Sequence, residues 1–304
     1  MGTFIVRRIL GLVPTLAVII TLSFFVIRLA PGGPFQNERA LPPEARAELE
    51  AKYGFDQPLS RQFVRYVGNL LRGDLGSSTK YQRSVNEIIA LGFPVTLSLA
   101  AVALVWALLL GVTAGIIGAV RQNTVWDYSA MTAAMVGISI PTFVLGPLLV
   151  LLFSLTLYWF PPAGWGTWKH VILPGITLGT VRASYIARLT RAGMLEVVRS
   201  DFIRTAHAKG LPEMLVIWRH MLRGGLLPVV SYLGPAIAFM MVGSVVVEKI
   251  FNTPGLGPYF VDAALNRDRF LVMGIVLLES VFLLTMNLLV DIVYGWLDPR
   301  ITYD

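Results

Sequence analysis

The 304-residue sequence contains no cysteine, which excludes a disulfide framework and any thiolate metal site. Its three histidines, His170, His207 and His220, do not cluster, so no histidine-based metal centre is expected. Charge is scarce as well: 14% of residues are Asp, Glu, Lys or Arg and the mean hydropathy is +0.68, where soluble domains carry about 25% charged residues. No Gly-x-x-x-x-Gly-Lys-[Ser/Thr] occurs. The stretch GDLGSSTK at 73–80 has the wrong glycine spacing and no apolar strand before it, so ATP hydrolysis by this chain is not expected. The paired groups of an intramembrane protease are missing too. His170 falls at the outer boundary, and Asp291 has no partner aspartate in another span. No catalytic residue, cofactor or metal site is assigned.

What the chain has is long charge-free runs: 88–120, 128–168 and 224–247. A helix needs roughly 20 apolar residues to cross about 30 Å of hydrocarbon. Residues 9–27 form a further run behind Arg7-Arg8, too long for a cleavable signal segment and with no small-x-small site after it. Two weaker segments follow, 171–186 with Pro174 and Arg182, and 270–297 with Glu279 and Asp291. The formal charge of +7 then marks loops facing anionic lipid rather than nucleic acid.

Loop charge decides the count. Eight Lys or Arg lie between Arg182 and Arg223. Six spans put that stretch, Arg7-Arg8, Arg121 and Arg300 on the cytoplasmic side, with both termini inside, whereas seven would turn the most basic loop outward. The third run is expected to tilt, or to bend at Pro141, and to end among Trp159, Trp165 and Trp168. The loop 31–87 then lies outside. It is expected to be helical, with one helix from Pro42-Pro43-Glu44 to about Tyr53. A second, capped by Ser60, would carry Phe63, Val64, Val67, Leu70 and Leu71 on one face.

The basic stretch DFIRTAHAKGLPEMLVIWRHMLRGGLLP at 201–228 is the odd insert in so apolar a chain. A helix from about Glu196 to Lys209 would place Val198, Phe202, Thr205, Ala206 and Lys209 at spacings of three and four, with Gly210 as its C-terminal stop. A small-faced basic helix at the membrane surface suits docking into a groove on a soluble protein. An amphipathic helix that binds only anionic headgroups fits the spacing equally well.

Motifs spread along the chain break that tie: RRILGLVPTLAVIITLSFFVIRLAPGGPF, GDLGSS, FPVTLSLA, ISIPTFVLGPLLVLLFS, IARLTRAGMLEVVRSDFIRTAHAKGL, VVVEKIFNTPGLG, ALNRDRF and DPRI. Together they resemble the B-type permease subunits of bacterial ABC importers in the family of dipeptide, oligopeptide and nickel permeases. The resemblance implies an all-α integral membrane fold of six transmembrane helices, like type I ABC importer permeases, with a helical periplasmic loop between spans 1 and 2. The layout would be a first helix at 1–30, the periplasmic loop at 31–87, and a core domain at 88–304. That core would hold spans at about 88–120, 128–160, 171–190, 224–247 and 270–297 and a cytoplasmic coupling loop at 191–223.

The resemblance also implies an EAA motif whose coupling helix sits in a cleft of an ATPase subunit, here Arg204, Thr205, Ala206, Lys209 and Gly210. Arg204 and Thr205 replace the usual Glu and Ala, and further on only Leu222 keeps its type, beside His220 and Arg223. The implied partners are a second, C-type permease subunit, two ATP-binding subunits, a periplasmic or lipid-tethered peptide-binding protein, and lipid. The implied location is the bacterial inner membrane, and the implied cargo oligopeptides, with dipeptides, nickel or another small solute as alternatives. A stand-alone secondary transporter is the alternative of another class; it predicts an internal repeat, and none is visible. Glu279, Pro141 and Glu248 are candidates for the translocation path or the permease interface. For Glu279 a structural or interfacial role is preferred over contact with a substrate amine. Asp291 and Asp298 are expected as interfacial anchors.

Overall fold

A computed structural model describes residues 2–29, 44, 48, 51 and 53–297, and the apolar runs become helices in it. In chain order these are α1 (Gly2–Leu29), α2 (Leu59–Leu71), α3 (Val85–Val120), α4 (Val125–Ser139), α5 (Thr142–Thr156) and α6 (Lys169–Val198). They are followed by α7 (Asp201–Ala208), α8 (213–225, with a π-helical middle at Val216–Met221), α9 (Leu227–Ile250), α10 (Leu256–Leu265) and α11 (Arg269–Leu297).

Among the described residues, α1, α3, α9 and α11 are long and apolar enough to cross a bilayer, and α4 with α5 makes a fifth candidate bent by 105°. The bend falls at Pro141. A residue before proline is pushed into extended backbone, and Ile140 adopts φ −92°, ψ 115°, so α4 stops and α5 starts one residue after the ring. The fourth expected span is α6, which runs on to Val198 and so enters the segment expected to be coupling loop.

The centre of the fold is the parallel packing of α3 on α6. Small residues make it possible. A Cβ added at Gly111 would stand 2.6 Å from the Ala183 carbonyl oxygen, and one at Gly175 would meet Val102. Gly179 lies against the Ala103 carbonyl and Gly115 against Thr190. Without a hydrophobic driving force between helices in lipid, such close backbone approach is the main source of attraction. Ala100, Ala103 and Ala107 of α3, Leu173, Leu178 and Ile186 of α6, and Met240, Met241 and Val247 of α9 form the central core.

Each end of this pair carries its own cluster. At one end Val85 and Ile88 pack with Leu256, Ala263, Leu271 and Ile275; at the other Ala119 and Met194 pack with Ile203, Ala206 and Val216. The first turns of α1 meet the last turns of α11 through Arg8 and Asp291, 3.2 Å apart, so the expected anchor Asp291 is an ion-pair partner. Asp298 lies outside the described residues.

The outer loop differs from expectation in two respects. Pro58, with φ −55°, precedes α2, so Ser60 sits inside the first turn instead of capping it. The packed face holds Gln62, Phe63 and Tyr66; the rings of Phe63 and Tyr66 meet Phe24 of α1 at 5.1 and 5.8 Å, while Val64 and Leu71 point outward. The helix expected before Tyr53 falls largely outside the described residues.

The seam yields a paired prediction. Gly179→Ala drives a methyl into backbone and should cost about 1–3 kcal/mol by overpacking. Gly243→Ala, whose new methyl would touch only Leu178 at 3.7 Å, should be neutral. Thermal unfolding of the two variants in detergent checks the contrast.

Candidate functional site

The expected helix from 196 to 209 is two helices. Ser200 takes extended backbone (φ −76°, ψ 151°) between α6 and α7, and its carbonyl accepts the Ile203 and Arg204 amides. The chain therefore turns, and α7 lies as a separate short rod at the end of α6. Its C-terminus is closed as expected. Gly210 has φ +71°, its amide donates to the His207 carbonyl, and the Leu211 amide donates to the Ala206 carbonyl at 3.3 Å. That is the Schellman arrangement, which needs a left-handed residue at Gly210.

The direction of the small face is a correction. Ala206 is 4% exposed and packs inward with Ile203 against Ala119, Met194 and Val216. Ile203 and Ala206 are three apart and form the stripe by which α7 grips its own chain. The exposed face holds Arg204, Thr205, Lys209 and Gly210 together with Phe202, which is 52% exposed. Arg204 reaches only Asp201, 3.6 Å away and fully in solvent, a pair that contributes little.

One turn deeper, Arg191 of α6 grips Asp127 at the start of α4. Its Nε donates to Oδ1 at 2.8 Å and a terminal NH2 nitrogen to Oδ2 at 2.7 Å, while the Asn123 amide donates to the same carboxylate at 3.0 Å. This bidentate pair joins the α3–α4 turn to the end of α6 that bears α7.

At the other end, Glu248, expected on the path or at the permease interface, is 0% exposed and enclosed by its own chain. Thr96 Oγ1 donates to its Oε1 at 2.8 Å and the Gly257 amide to its Oε2 at 2.8 Å. The Leu256 amide donates to Thr96 Oγ1 at 2.9 Å. The carboxylate thus caps the first turn of α10. Gly255 is pressed onto it with no room for a Cβ, which explains the two glycines in the turn NTPGLG. Pro141, by contrast, is exposed at the 105° break, and Glu279 is half-buried beside an open cavity of about 190 Å³ between α9 and α11. The structure therefore brings Arg204, Thr205, Lys209 and Gly210 together on one surface and leaves Pro141, Glu248 and Glu279 in three separate places.

Two buried acids escaped the sequence reading. Asp127 is one. Asp268 is the other: it accepts from Ser78 Oγ, from the Lys80 amide at 3.2 Å and from the Leu271 amide at 3.2 Å, tying the outer loop to the start of α11. Beside it, burial and then the neighbouring Asp262 push the Tyr81 phenol up to about 12, so Tyr81 stays a donor to Asp262. A lone acid just before an apolar helix was the signal available for each.

Comparison with known proteins settles what such a fold is. The family model described as "Binding-protein-dependent transport system inner membrane component" matches residues 111–303, and the N-terminal model of the same system matches residues 1–100. The chain belongs to this family. The permease is 48% identical over 303 residues to "Oligopeptide transport system permease protein OppB" of Salmonella typhimurium, with 99% of each chain covered. It is 42% identical over 302 residues to "Dipeptide transport system permease protein DppB" of Bacillus subtilis, covering 99% of this chain and 98% of that one. Among solved structures, an inward-facing MetNI methionine ABC transporter aligns with a TM-score of 0.59 at 16% identity, over 69% of this chain and 96% of that one, a likeness of fold alone. The permease is thus an all-α, multi-pass inner-membrane transport subunit.

The Asp127–Arg191 clamp gives the test of this region. Arg191→Ala leaves a carboxylate buried and unpaired and should destabilise the permease by about 3–5 kcal/mol. Asp127→Leu combined with Arg191→Met should recover most of that loss in denaturant unfolding.

Proposed function

We propose that this permease forms one half of the transmembrane path of an oligopeptide importer, paired with a second, similar permease and driven by two separate ATP-binding subunits. A periplasmic or lipid-tethered binding protein delivers the peptide, and this chain hydrolyses no ATP itself. The observation that carries the reading is the 48% identity, end to end, with an oligopeptide transport permease. Dipeptides or glutathione are the alternative cargo, favoured by the 42% identity to permeases named for each.

Six crossings with both termini cytoplasmic fit this role. Because α3 and α6 run parallel, the chain between them has to return across the bilayer. The bent pair does so, from the Arg191 end of α6 up to Gly146, which lies against Phe251 and Thr177. The ion pair of Arg8 with Asp291, which joins the first turns of α1 to the last turns of α11, supports an even count. On this reading the segment around 201–210 is the coupling helix. Its exposed Phe202, Thr205, Lys209 and Gly210 enter the ATPase cleft, Arg204 lies at the rim, and Ala206 pins the helix to α6 and α8. ATP-driven closure of the ATPase pair pushes on α7, and helix packing switches the path between inward and outward opening. Pro141 sits at the bend of a path-side helix.

Two measurements test this. Importer assembled with its partners should take up trialanine only with ATP and the ATP-binding subunits; uptake by this chain alone, coupled to protons, would overturn the reading. Thr205→Cys should crosslink to a cysteine in the ATPase cleft, whereas Ala206→Cys and the outer-loop Ser77→Cys should not.

A further inference from the structure

The mid-span face of α6, α9 and α11 carries two opposite charges that do not meet. On α6 the guanidinium of Arg182 stands over the ring of Phe239 of α9, with Cζ 5.0 Å from the centroid, and donates to Tyr232 Oη at 3.4 Å. Phe239 is 56% exposed and also lines the cavity that holds Glu279 of α11, with Ala238, Val242 and Val276 as apolar walls. Among the described residues no carboxylate reaches Arg182 and no cation reaches Glu279. One exposed aromatic side chain thus separates an unpaired cation from an unpaired anion, near the middle of three helices.

Such a face does not belong in lipid. An ionisable side chain at the bilayer centre costs about 2.5–3.5 kcal/mol even on the lower, insertion-based scale, and two are only half-buried here. The cavity beside Glu279, about 190 Å³, is smaller than the roughly 300–1,000 Å³ of pockets that enclose a whole ligand. It suits one end of a longer molecule. The chemistry on offer is a carboxylate in an apolar recess, then a flat aromatic surface, then a guanidinium held by a cation–π contact and a phenol. That order matches a peptide's α-ammonium, its first side chain, and its backbone carbonyls or carboxylate. The two polar contacts do not depend on peptide sequence.

Resting on the peptide-importer reading, we propose that Arg182, Phe239 and Glu279 form a subsite on the translocation path that holds a passing peptide by its charged ends. Glu279 takes the ammonium and Arg182 the carboxylate or carbonyls. Residues from one permease meet both charges, so the peptide is oriented while it crosses. Contacts of this kind are few and solvent-reachable, which keeps the peptide free to leave.

The cysteine-free chain makes the test direct, because Val242→Cys, on the exposed wall of the same cavity, introduces its single thiol and keeps the Phe239 ring. In the assembled, nucleotide-free importer this thiol should react with a water-soluble methanethiosulfonate, and millimolar trialanine should slow the reaction. N-acetyl-trialanine should protect about tenfold less, the loss expected for one charge-assisted hydrogen bond, and Glu279→Gln should abolish the difference between the two peptides. Arg182→Gln should do the same for trialanine against its C-terminal amide. A thiol unreachable in water, or equal protection by all three peptides in every background, overturns the subsite while leaving trialanine uptake intact. An importer that takes up no trialanine at all overturns the peptide reading itself, and the subsite with it.

Discussion

The close, parallel contact of α3 with α6 is the constraint on which the rest of the structure depends. Glycine and alanine at Gly111, Gly115, Gly175, Gly179, Ala183 and Ala187 let two long helices touch backbone to side chain over several turns. In a membrane that intimacy supplies packing energy which hydrophobicity cannot. It also makes the pair stiff, since no gap remains for one helix to slide past the other. Both ends of the pair are then fastened. At one end Arg191 holds Asp127, and α7 and α8 close over Ala119 and Met194. At the other end Glu248 and Thr96 bind the turn that leads into α10, and Asp268 binds the loop before α3.

This gives a helix as short as α7 a firm seat from which the proposed coupling could act. Eight residues form barely two turns and would not hold shape alone. Ile203 and Ala206 fix α7 to the spine, Ser200 sets its angle, and Gly210 stops it. In the proposed role, a push on the exposed side, at Phe202, Thr205 and Lys209, would pass through a packed cluster into α6, not into a loose loop. The proposed path face of α6, with Arg182 near mid-helix, would then move with α7.

Much of this was legible in the sequence. Charge-free run lengths located α1, α3 and α9, a weaker run holding Glu279 and Asp291 located α11, Pro141 marked the bend, and Gly210 marked the stop, because each is set by local chemistry. The face of α7 was not legible. Phe202, Thr205 and Ala206 all lie at helical spacing, and only the neighbours α3 and α8 decide that Ala206 turns in while Phe202 turns out. Ser200 split a helix that periodicity carried straight through. Glu248 read as a candidate for the path or the permease interface, whereas its hydrogen bonds come from Thr96, 152 residues away, and from a turn that only folding brings back over it. The Gly-x-x-x-Gly pairs at Gly111–Gly115 and Gly175–Gly179 were in plain view and would have foretold the seam.

The central claim is that α7 and the whole length of α6 move as one rigid body when the ATPase subunits close. Spin labels at Thr205 and Lys169, exposed positions at opposite ends of that body, report on it in the assembled importer. The account predicts one sharp distance, the same in the nucleotide-free and ATP-trapped states, while distances from Thr205 to the partner permease change. A Thr205–Lys169 distance that shifts or broadens on trapping would contradict it.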